Sequence, residues 1–231
     1  MQTFTIRDIK VHPFSSVNQL IEHADKEKGI LVAVNAEKSV NAQTPLIAVI
    51  NDNIGYCDGA GAVKAAHRKG HHEAVRIPGC ELWLEIIKRF HKSRTFYLVG
   101  STPDVIETTV AKLRTEFPAI NIVGYRDGYL KEGDTERLIE DIAVKAPDFV
   151  FVAMGSPKQE LLMQQIKQAH RAVYQGLGGS FDLYVGNFKR APKLIQHMGG
   201  EWLWRFVAQP TRIRRIVPYL KYAWLLYTGK L

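Results

Sequence analysis

The residue best suited to acid-base chemistry is Asp58, at the end of a short run of strand-forming residues. It follows Ile54–Cys57 and precedes a glycine-rich turn, Gly59–Gly61. A carboxylate in this position can act as a general base towards an attacking hydroxyl group. It can equally cap a turn or a helix, which is a common role of aspartate before glycine. The local sequence is compatible with both roles, and the glycines would let a substrate approach the backbone closely.

Two other predicted strand ends carry polar side chains with a similar ambiguity. Asn35 follows Ile30–Val34, where it is typical of a turn or a helix N-cap. Asp182 closes the segment Gly176–Asp182, whose paired glycines suit either a plain turn or close contact with a ligand. As a functional residue, Asp182 could hold a ribose hydroxyl group.

Two matching junctions combine a strand, a glycine, a hydroxyl residue, a proline and a helix. They are Val99–Asp104 and Met154–Glu160. Free N–H groups at the start of each helix could bind a phosphate beside Gly100 and Gly155. Gln159 follows a serine at the spacing of a capping box, which explains it without a ligand. Neither junction has the GxGxxG or P-loop pattern, so dehydrogenase and P-loop functions find no support.

The elements that would position these residues alternate between strands and helices, which predicts an α/β fold with a mostly parallel sheet. In such a sheet, ligands bind beyond the carboxyl ends of the strands. The stretch Thr3–Val11 could be an edge strand or a hairpin. The predicted strands are Ile30–Val34, Ile54–Cys57, Ala74–Ile77, Thr95–Val99, Asn121–Gly124, Phe149–Ala153 and Ala172–Gln175, and the clearest predicted helices are Glu81–His91, Asp104–Phe117 and Lys158–His170.

The positive charge of the chain is concentrated in its C-terminal part. Residues 1–185 contain 22 basic and 22 acidic residues, whereas residues 186–231 contain nine basic residues and one acidic residue. After Pro192 the pattern is helical and rich in tryptophan, with expected breaks near Pro210 and Pro218. The apolar run Val217–Tyr227 is too short to span a bilayer but suits an interfacial helix. We therefore predict a core over residues 1–195 and a helical, membrane-associating appendage over residues 196–231.

Several features bear on localisation and metal use. The N-terminus has no apolar segment behind its basic residues, so we expect a cytoplasmic protein. Cys57 and Cys80 have no metal-ligand spacing, and no DxD triplet is present to hold a divalent metal on a diphosphate. We expect no cofactor and no metal; a departing diphosphate would then need arginines or helix ends to stabilise it.

Ten ordered segments resemble the WecG/TagA/CpsF family of glycosyltransferases, which includes bacterial teichoic-acid and enterobacterial-common-antigen mannosaminyltransferases. The sequences VNAEK and KRAPK favour the common-antigen members. Near Ala33, the teichoic-acid enzymes have a hydroxyl residue instead of alanine. The segments are LVAVNAEK (31–38), YCDG (56–59), RIPGCELW (76–83), FYLVGSTPDV (96–105), NIVGYRDGYL (121–130), VAMGSPKQE (152–160), GLGGSFDLYVG (176–186), KRAPK (189–193), EWLWR (201–205) and QPTRIRR (209–215).

The resemblance implies a Rossmann-like core, inverting and metal-independent transfer, and an appendage that completes the active site on the membrane. It implies that Asp58 is the catalytic base and that Asn35 and Gln159 belong to the same pocket. The substrate contacts it implies are Tyr129 and Asp182 for uridine, Arg76 for the substrate, and Arg205, Arg212 and Arg215 for the diphosphate.

The resulting hypothesis is transfer of N-acetyl-D-mannosaminuronic acid from UDP-ManNAcA to undecaprenyl-diphosphate-linked N-acetylglucosamine. The enzyme would be peripheral on the cytoplasmic face of the anionic inner membrane, without a nucleic-acid partner. One alternative is a teichoic-acid type enzyme that uses UDP-N-acetylmannosamine. Another is a non-catalytic membrane- or nucleic-acid-binding module, which would share the basic aromatic tail but would not need strand-end carboxylates in a neutral body.

Overall fold

The chain forms an α/β fold around one parallel sheet; the computed structural model describes residues 2–187 and 216–231. The sheet contains β3 (Gly29–Val34), β4 (Ile54–Cys57), β5 (Thr95–Gly100), β6 (Asn121–Arg126), β7 (Phe149–Ala153) and β8 (Val173–Gly176). Every pairing is parallel, in the order β4-β3-β8-β7-β5-β6. The predicted Rossmann-like fold class is confirmed, and six predicted strands match within two residues at either end.

A small hairpin precedes the sheet, formed by β1 (Phe4–Ile6) and β2 (Ile9–Val11). The first stretch of the chain is therefore a hairpin rather than an edge strand of the large sheet. The helices are α1 (Val17–Glu27), α2 (Ala36–Asn41), α3 (Thr44–Asn51), α4 (Ala60–Arg68), α5 (Gly79–Phe90), α6 (Pro103–Glu116), α7 (Asp134–Lys145), α8 (Lys158–Ala169), α9 (Ser180–Val185) and, after the undescribed residues, α10 (Ile216–Tyr227).

The strands are buried on both sides because helices cover both faces of the sheet. Alternate residues of β3 point to opposite faces, so Ile30 and Val32 enter one hydrophobic core and Leu31 enters the other. Helices α2, α3, α4, α7, α8 and α10 cover the first face. Helices α1, α5, α6 and α9 cover the second face, around the fully buried Trp83. This two-faced burial explains why the strands read as continuous apolar runs.

The predicted strand Ala74–Ile77 is wrong. These residues form an irregular connection to α5, although the N–H of Ile77 donates to the carbonyl of Cys57 at 2.8 Å. The next residue, Pro78, has no N–H group with which to continue a ladder. Val75 and Ile77 therefore make two isolated backbone bonds, to Phe14 and to Cys57, but no strand.

Helix α10 packs on the same core as α2 and α4. Its residues Tyr222, Leu225 and Leu226 are buried, and Pro218 lies in its first described turn. On α4, the Arg68 guanidinium donates to the carbonyl of Leu226. The predicted domain boundary at residue 195 and the predicted break near residue 210 lie outside the described residues.

Candidate active site

Four neighbouring strands bring candidate residues to one edge of the sheet. Because β4, β3, β8 and β7 lie side by side and run parallel, their carboxyl ends open at the same edge. Asp58 follows β4 and Asn35 follows β3, and the N–H of Asp58 donates to the carbonyl of Val34 at 3.0 Å. The two candidate residues are therefore held in register by the sheet itself.

Asp58 is not the N-cap of the helix that follows it. Gly59 occupies the N-cap position of α4, and Oδ1 of Asp58 instead accepts a hydrogen bond of 2.9 Å from the N–H of Gly79, the first residue of α5. The carboxylate is half-buried, and among residues 2–187 and 216–231 its Oδ2 atom has no hydrogen-bond donor. One oxygen is thus anchored, while the other can accept a hydrogen bond, and then the proton, from a hydroxyl group.

Gly79 packs closely beneath this carboxylate. A Cβ atom at this position would lie 2.9 Å from the hydroxyl of Tyr56, so any side chain would disturb the contact. The carbonyl of Gly79 accepts a 2.9 Å hydrogen bond from Nε2 of Gln175 in β8. Burial, followed by the negative charge of Asp58, raises the pKa of Tyr56 well above its usual value. A neutral phenol therefore lies below the candidate base.

Asn35 is the N-cap of α2, as the simpler interpretation of its position predicts. Its Oδ1 atom accepts a 3.0 Å hydrogen bond from the N–H of Lys38, and its carbonyl accepts one of 2.8 Å from the hydroxyl of Ser39. Capping does not exclude a pocket role, because the amide nitrogen of Asn35 makes none of these contacts. The cap holds the amide in one orientation at the sheet edge.

Gln159 does not form the capping box that its spacing suggests. Pro157 is the N-cap residue of α8 and makes no side-chain capping bond. Instead Oε1 of Gln159 accepts a 2.9 Å hydrogen bond from the N–H of Gly178, and its Nε2 donates to Oε1 of Glu160 at 3.2 Å. The side chain therefore bridges α8 and the loop that follows β8.

Arg76 lies beside Asp58 in the connection before α5. Its Nε atom donates to the backbone carbonyl of Asp58 at 3.1 Å, so the guanidinium stem is held near the candidate base. Arg76 had only the RIPG segment as support in the sequence. The structure brings Arg76, Asp58 and Asn35 to the same region of the sheet edge, since Asn35 and Asp58 follow adjacent strands.

The glycine junction at the end of β5 meets α9, the helix that follows β8. Gly100 and Ser101 both adopt left-handed backbone conformations, with φ values of 130° and 57°. The hydroxyl of Ser101 donates to Oδ2 of Asp182 at 2.8 Å. A side chain at Gly100 would collide with the carbonyl of Ala153, so packing already requires this glycine. Gly155 also has a positive φ of 76°, but a Cβ there would meet open space.

Of the remaining predicted substrate contacts, the structure describes Tyr129 but not the three arginines of the appendage. Tyr129 follows β6 and is 66% exposed, and its N–H donates to Oδ1 of Asp127 at 2.7 Å. This aromatic side chain is accessible at the same edge of the sheet. It lies near Ser101, because the N–H of the preceding residue, Gly128, donates to the Ser101 carbonyl. The predicted diphosphate contacts Arg205, Arg212 and Arg215 lie outside the described residues.

Reasoning from sequence missed two charged residues that meet beneath the candidate site. The ammonium of Lys38 lies 2.7 Å from Oε1 of Glu160, and both side chains are almost completely buried. Both residues belong to segments that resemble the family, but 122 positions separate them. Nothing in the local sequence pairs them, so only the adjacency of α2 and α8 reveals the contact.

The close backbone approach predicted for a substrate at Gly61 is wrong, because the chain itself occupies the space. The ring of Tyr222 from α10 lies against this glycine. Gly59 differs, since a Cβ there would make an ordinary 3.6 Å contact with Asn35. The first turn of α4 thus serves as a docking position for α10.

A protein-family model covers almost the whole chain. The model of the Glycosyl transferase WecG/TagA/CpsF family matches residues 4–231. The chain belongs to this family. It is therefore a glycosyltransferase of polysaccharide biosynthesis, and the family implies a nucleotide-sugar donor and a lipid-linked acceptor.

Two structural findings accompany membership of the WecG/TagA/CpsF family. None of the helices in the two described ranges has the length and apolar character needed to cross a membrane. The same ranges contain no group of three His, Cys, Asp or Glu residues arranged to hold a metal ion. Metal independence stays a prediction, to be tested by chelation.

Proposed function

We propose that this glycosyltransferase moves N-acetyl-D-mannosaminuronic acid from UDP-ManNAcA to undecaprenyl-diphosphate-linked N-acetylglucosamine. The reaction is a single displacement with inversion at the anomeric carbon, on the cytoplasmic face of the inner membrane. Family membership supports the transferase class over a non-catalytic module. The choice of donor and acceptor rests on the VNAEK and KRAPK segments.

The observation that carries the mechanism is the fixed position of Asp58. Its Oδ1 atom is held by the N–H of Gly79, and the site lies where parallel sheets bind their ligands. A base with one anchored oxygen presents the other in a defined direction. Its side chain is already ordered before the reaction, so no further conformational entropy is lost. Such positioning contributes to the rate because the reacting groups meet in a productive geometry.

In the proposed step, Asp58 takes the proton from an acceptor sugar hydroxyl. The hydroxyl oxygen forms the new bond to the anomeric carbon as the bond between that carbon and the UDP oxygen breaks. UDP leaves with the bonding electrons, and the proton stays on Asp58 until solvent removes it. The charge on the diphosphate is stabilised by the N-termini of α6 and α8 and by the arginines of the appendage.

A membrane role is supported by the outer face of α10. Four large apolar side chains recur at helical spacing on this face and are more than half exposed, and Lys221 is exposed beside them. They are Val217, Leu220, Trp224 and Tyr227. An apolar stripe with flanking lysines is typical of a helix lying on an anionic lipid surface. The opposite face is already buried on α2 and α4.

The proposal is tested by measuring UDP release with purified lipid-linked N-acetylglucosamine in anionic vesicles. UDP-ManNAcA and UDP-N-acetylmannosamine are supplied separately, with and without a chelator, and the product linkage is determined by nuclear magnetic resonance. We expect β-linked product from UDP-ManNAcA and no effect of the chelator.

Each alternative has its own result in this assay. Preference for UDP-N-acetylmannosamine would assign the teichoic-acid type donor and refute the uronic acid. Loss of activity with the chelator would refute metal independence, and an α-linked product would refute the single displacement.

A further inference from the structure

Lys38 contacts the side-chain amide of Asn35 directly and reaches that of Gln159 through the carboxylate of Glu160. Its backbone N–H donates to Oδ1 of Asn35, and its ammonium lies 2.7 Å from Oε1 of Glu160. That same Glu160 oxygen accepts the hydrogen bond from Nε2 of Gln159. Lys38 therefore connects the residue after β3 with the residue in the first turn of α8.

These contacts determine which way the Gln159 amide faces. Its oxygen receives the N–H of Gly178, and its nitrogen faces the Glu160 carboxylate. A Cβ on Gly176 would overlap the Gln159 amide, so the side chain lies directly on the backbone of β8. Exchanging the amide oxygen and nitrogen would set oxygen against oxygen and N–H against N–H. The Gly178 N–H and the ionised Glu160 acceptor together define the orientation.

Glu160 keeps its charge because of Lys38. The carboxylate is buried, and burial opposes its ionisation, but the adjacent ammonium and its hydrogen bond hold the pKa of Glu160 below the usual value. Without that ammonium, only the hydrogen bonds from Gln159 and Ser156 would oppose the desolvation effect. Glu160 would then be protonated more readily, and its carboxyl group would lose acceptor capacity.

A buried ion pair is a poor way to gain stability. Removing two charges from water costs free energy that their attraction only partly offsets, and apolar replacements of similar size are often neutral or stabilising. The pair is therefore weak evidence for a role in fold stability. Its position between Asn35 and Gln159 favours a positioning role instead.

We propose that Lys38 and Glu160 form a positioning pair, which fixes the Gln159 amide for contact with the substrate and connects it to Asn35. The inference deepens the proposed function and rests on it for its kinetic consequences. Neither member of the pair touches the reacting atoms; both act through Gln159.

The kinetic test compares Lys38→Arg, Lys38→Met, Glu160→Gln and the double variant Lys38→Met/Glu160→Leu. The double variant removes both buried charges, so it is expected to fold. Lys167→Met is the matched control: it removes another lysine contact, 2.6 Å to Oδ1 of Asn53, near the far end of α8. Melting temperature is measured for every variant to establish that it is folded.

We expect Glu160→Gln and the folded double variant to lower kcat by on the order of tenfold to 100-fold while the donor KM changes little, since misoriented groups lower the rate. Lys38→Arg retains the charge and is expected to keep most of the activity, as is Lys167→Met. A double variant that is folded and fully active would overturn the proposal. So would an equal loss in the Lys167→Met control.

The pH dependence of Lys38→Met provides a second readout. The titratable groups that interact with Glu160 in the described ranges are Lys38 and Tyr56, and removal of the first raises the pKa of Glu160. The carboxylate then regains its acceptor form as the pH rises. We expect the activity of Lys38→Met relative to the wild type to increase with pH. A ratio that does not change with pH would contradict the proposed role of the charge.

A third readout does not depend on activity. The side-chain amide protons of Gln159, assigned in labelled protein by comparison with Gln159→Glu, should be protected from exchange in the wild type. Protection should fall in Lys38→Met and in Glu160→Gln but not in Lys167→Met. If the wild type proves inactive on UDP-sugars, the proposed function fails, while this measurement still decides the positioning role: unchanged protection in both variants would refute it.

Discussion

The ring of Tyr222 in α10 lies on the backbone of Gly61 in α4. A Cβ atom on this glycine would be 2.8 Å from Cε1 of the ring, and Tyr222 is only 3% exposed. Gly61 comes three residues after Asp58. Helix α10 therefore docks on the start of α4, directly after the candidate base, and it also packs against α2, which begins after Asn35.

Gly61→Ala is expected to destabilise the protein. Alanine favours a helix over glycine by about 1 kcal/mol, whereas forcing an extra methyl group into a packed contact costs about 1 to 3 kcal/mol. The steric effect should dominate and loosen α10. Denaturant unfolding and proteolysis near the C-terminus measure this. Gly59→Ala is the control, since a Cβ there would make only a 3.6 Å contact. Equal stability of the two variants would contradict the docking role of Gly61.

Asp58→Asn tests the proposed base directly. The amide oxygen of asparagine can still accept the hydrogen bond from Gly79, so the local structure should be retained. Loss of a general base lowers the rate by on the order of 10²- to 10⁴-fold. UDP release at saturating donor should fall by this factor, while UDP binding measured by calorimetry should be unchanged. Asp52→Asn, at the opposite end of the sheet, serves as the control, and normal turnover by Asp58→Asn would remove Asp58 from the base role.

Replacing Leu220 and Trp224 by serine should weaken binding to anionic vesicles. Each large apolar side chain contributes about 1.5 to 3 kcal/mol when fully transferred from water, so the double variant should bind more than about tenfold more weakly. The melting temperature should change little because both side chains are exposed. Val144→Ser, which alters an 80% exposed apolar residue on α7, is the matched control in vesicle sedimentation. Equal binding by all three proteins would exclude this face of α10 from the membrane contact.

The stability of the protein should decrease as the pH is lowered through the range set by His12. Burial lowers the pKa of His12 from 6.5 to about 4, and the neighbouring His23 and Lys10 act in the same direction. The folded state keeps this imidazole neutral while the unfolded chain takes up a proton, so stability contributed by His12 is present above 6.5 and lost towards pH 4.

His12→Asn provides the comparison for this prediction. Its amide can replace the ring Nδ1 that lies 3.1 Å from the carbonyl of Gly55, but it does not titrate. The melting temperature of the wild type should therefore fall more between about pH 7 and about pH 5 than that of His12→Asn. The exposed His72→Asn should behave as the wild type. Parallel curves for the wild type and His12→Asn would show that His12 does not contribute.

The strand and helix pattern could be predicted from sequence because it depends on local periodicity. Runs such as Phe149–Ala153 are apolar throughout since both faces of the sheet are covered, and their boundaries agree with the structure. The connection Ala74–Ile77 could not be distinguished from a strand in this way. Its backbone makes only isolated bonds, from Val75 to Phe14 and from Ile77 to Cys57, and these long-range contacts are not encoded in the local pattern.

In the candidate site, too, some features could be predicted from local sequence and others depend on tertiary contacts. Sequence by itself determined the fold class, the family and the strand-end residues Asp58 and Asn35, because short-range patterns and ordered motifs carry that information. Tertiary structure alone decided that Asp58 bonds to the start of α5, that Tyr222 fills the space at Gly61, and that Lys38 pairs with Glu160. These contacts join residues far apart in the chain, and their geometry is set only when the sheet aligns its strand ends and the helices pack around them.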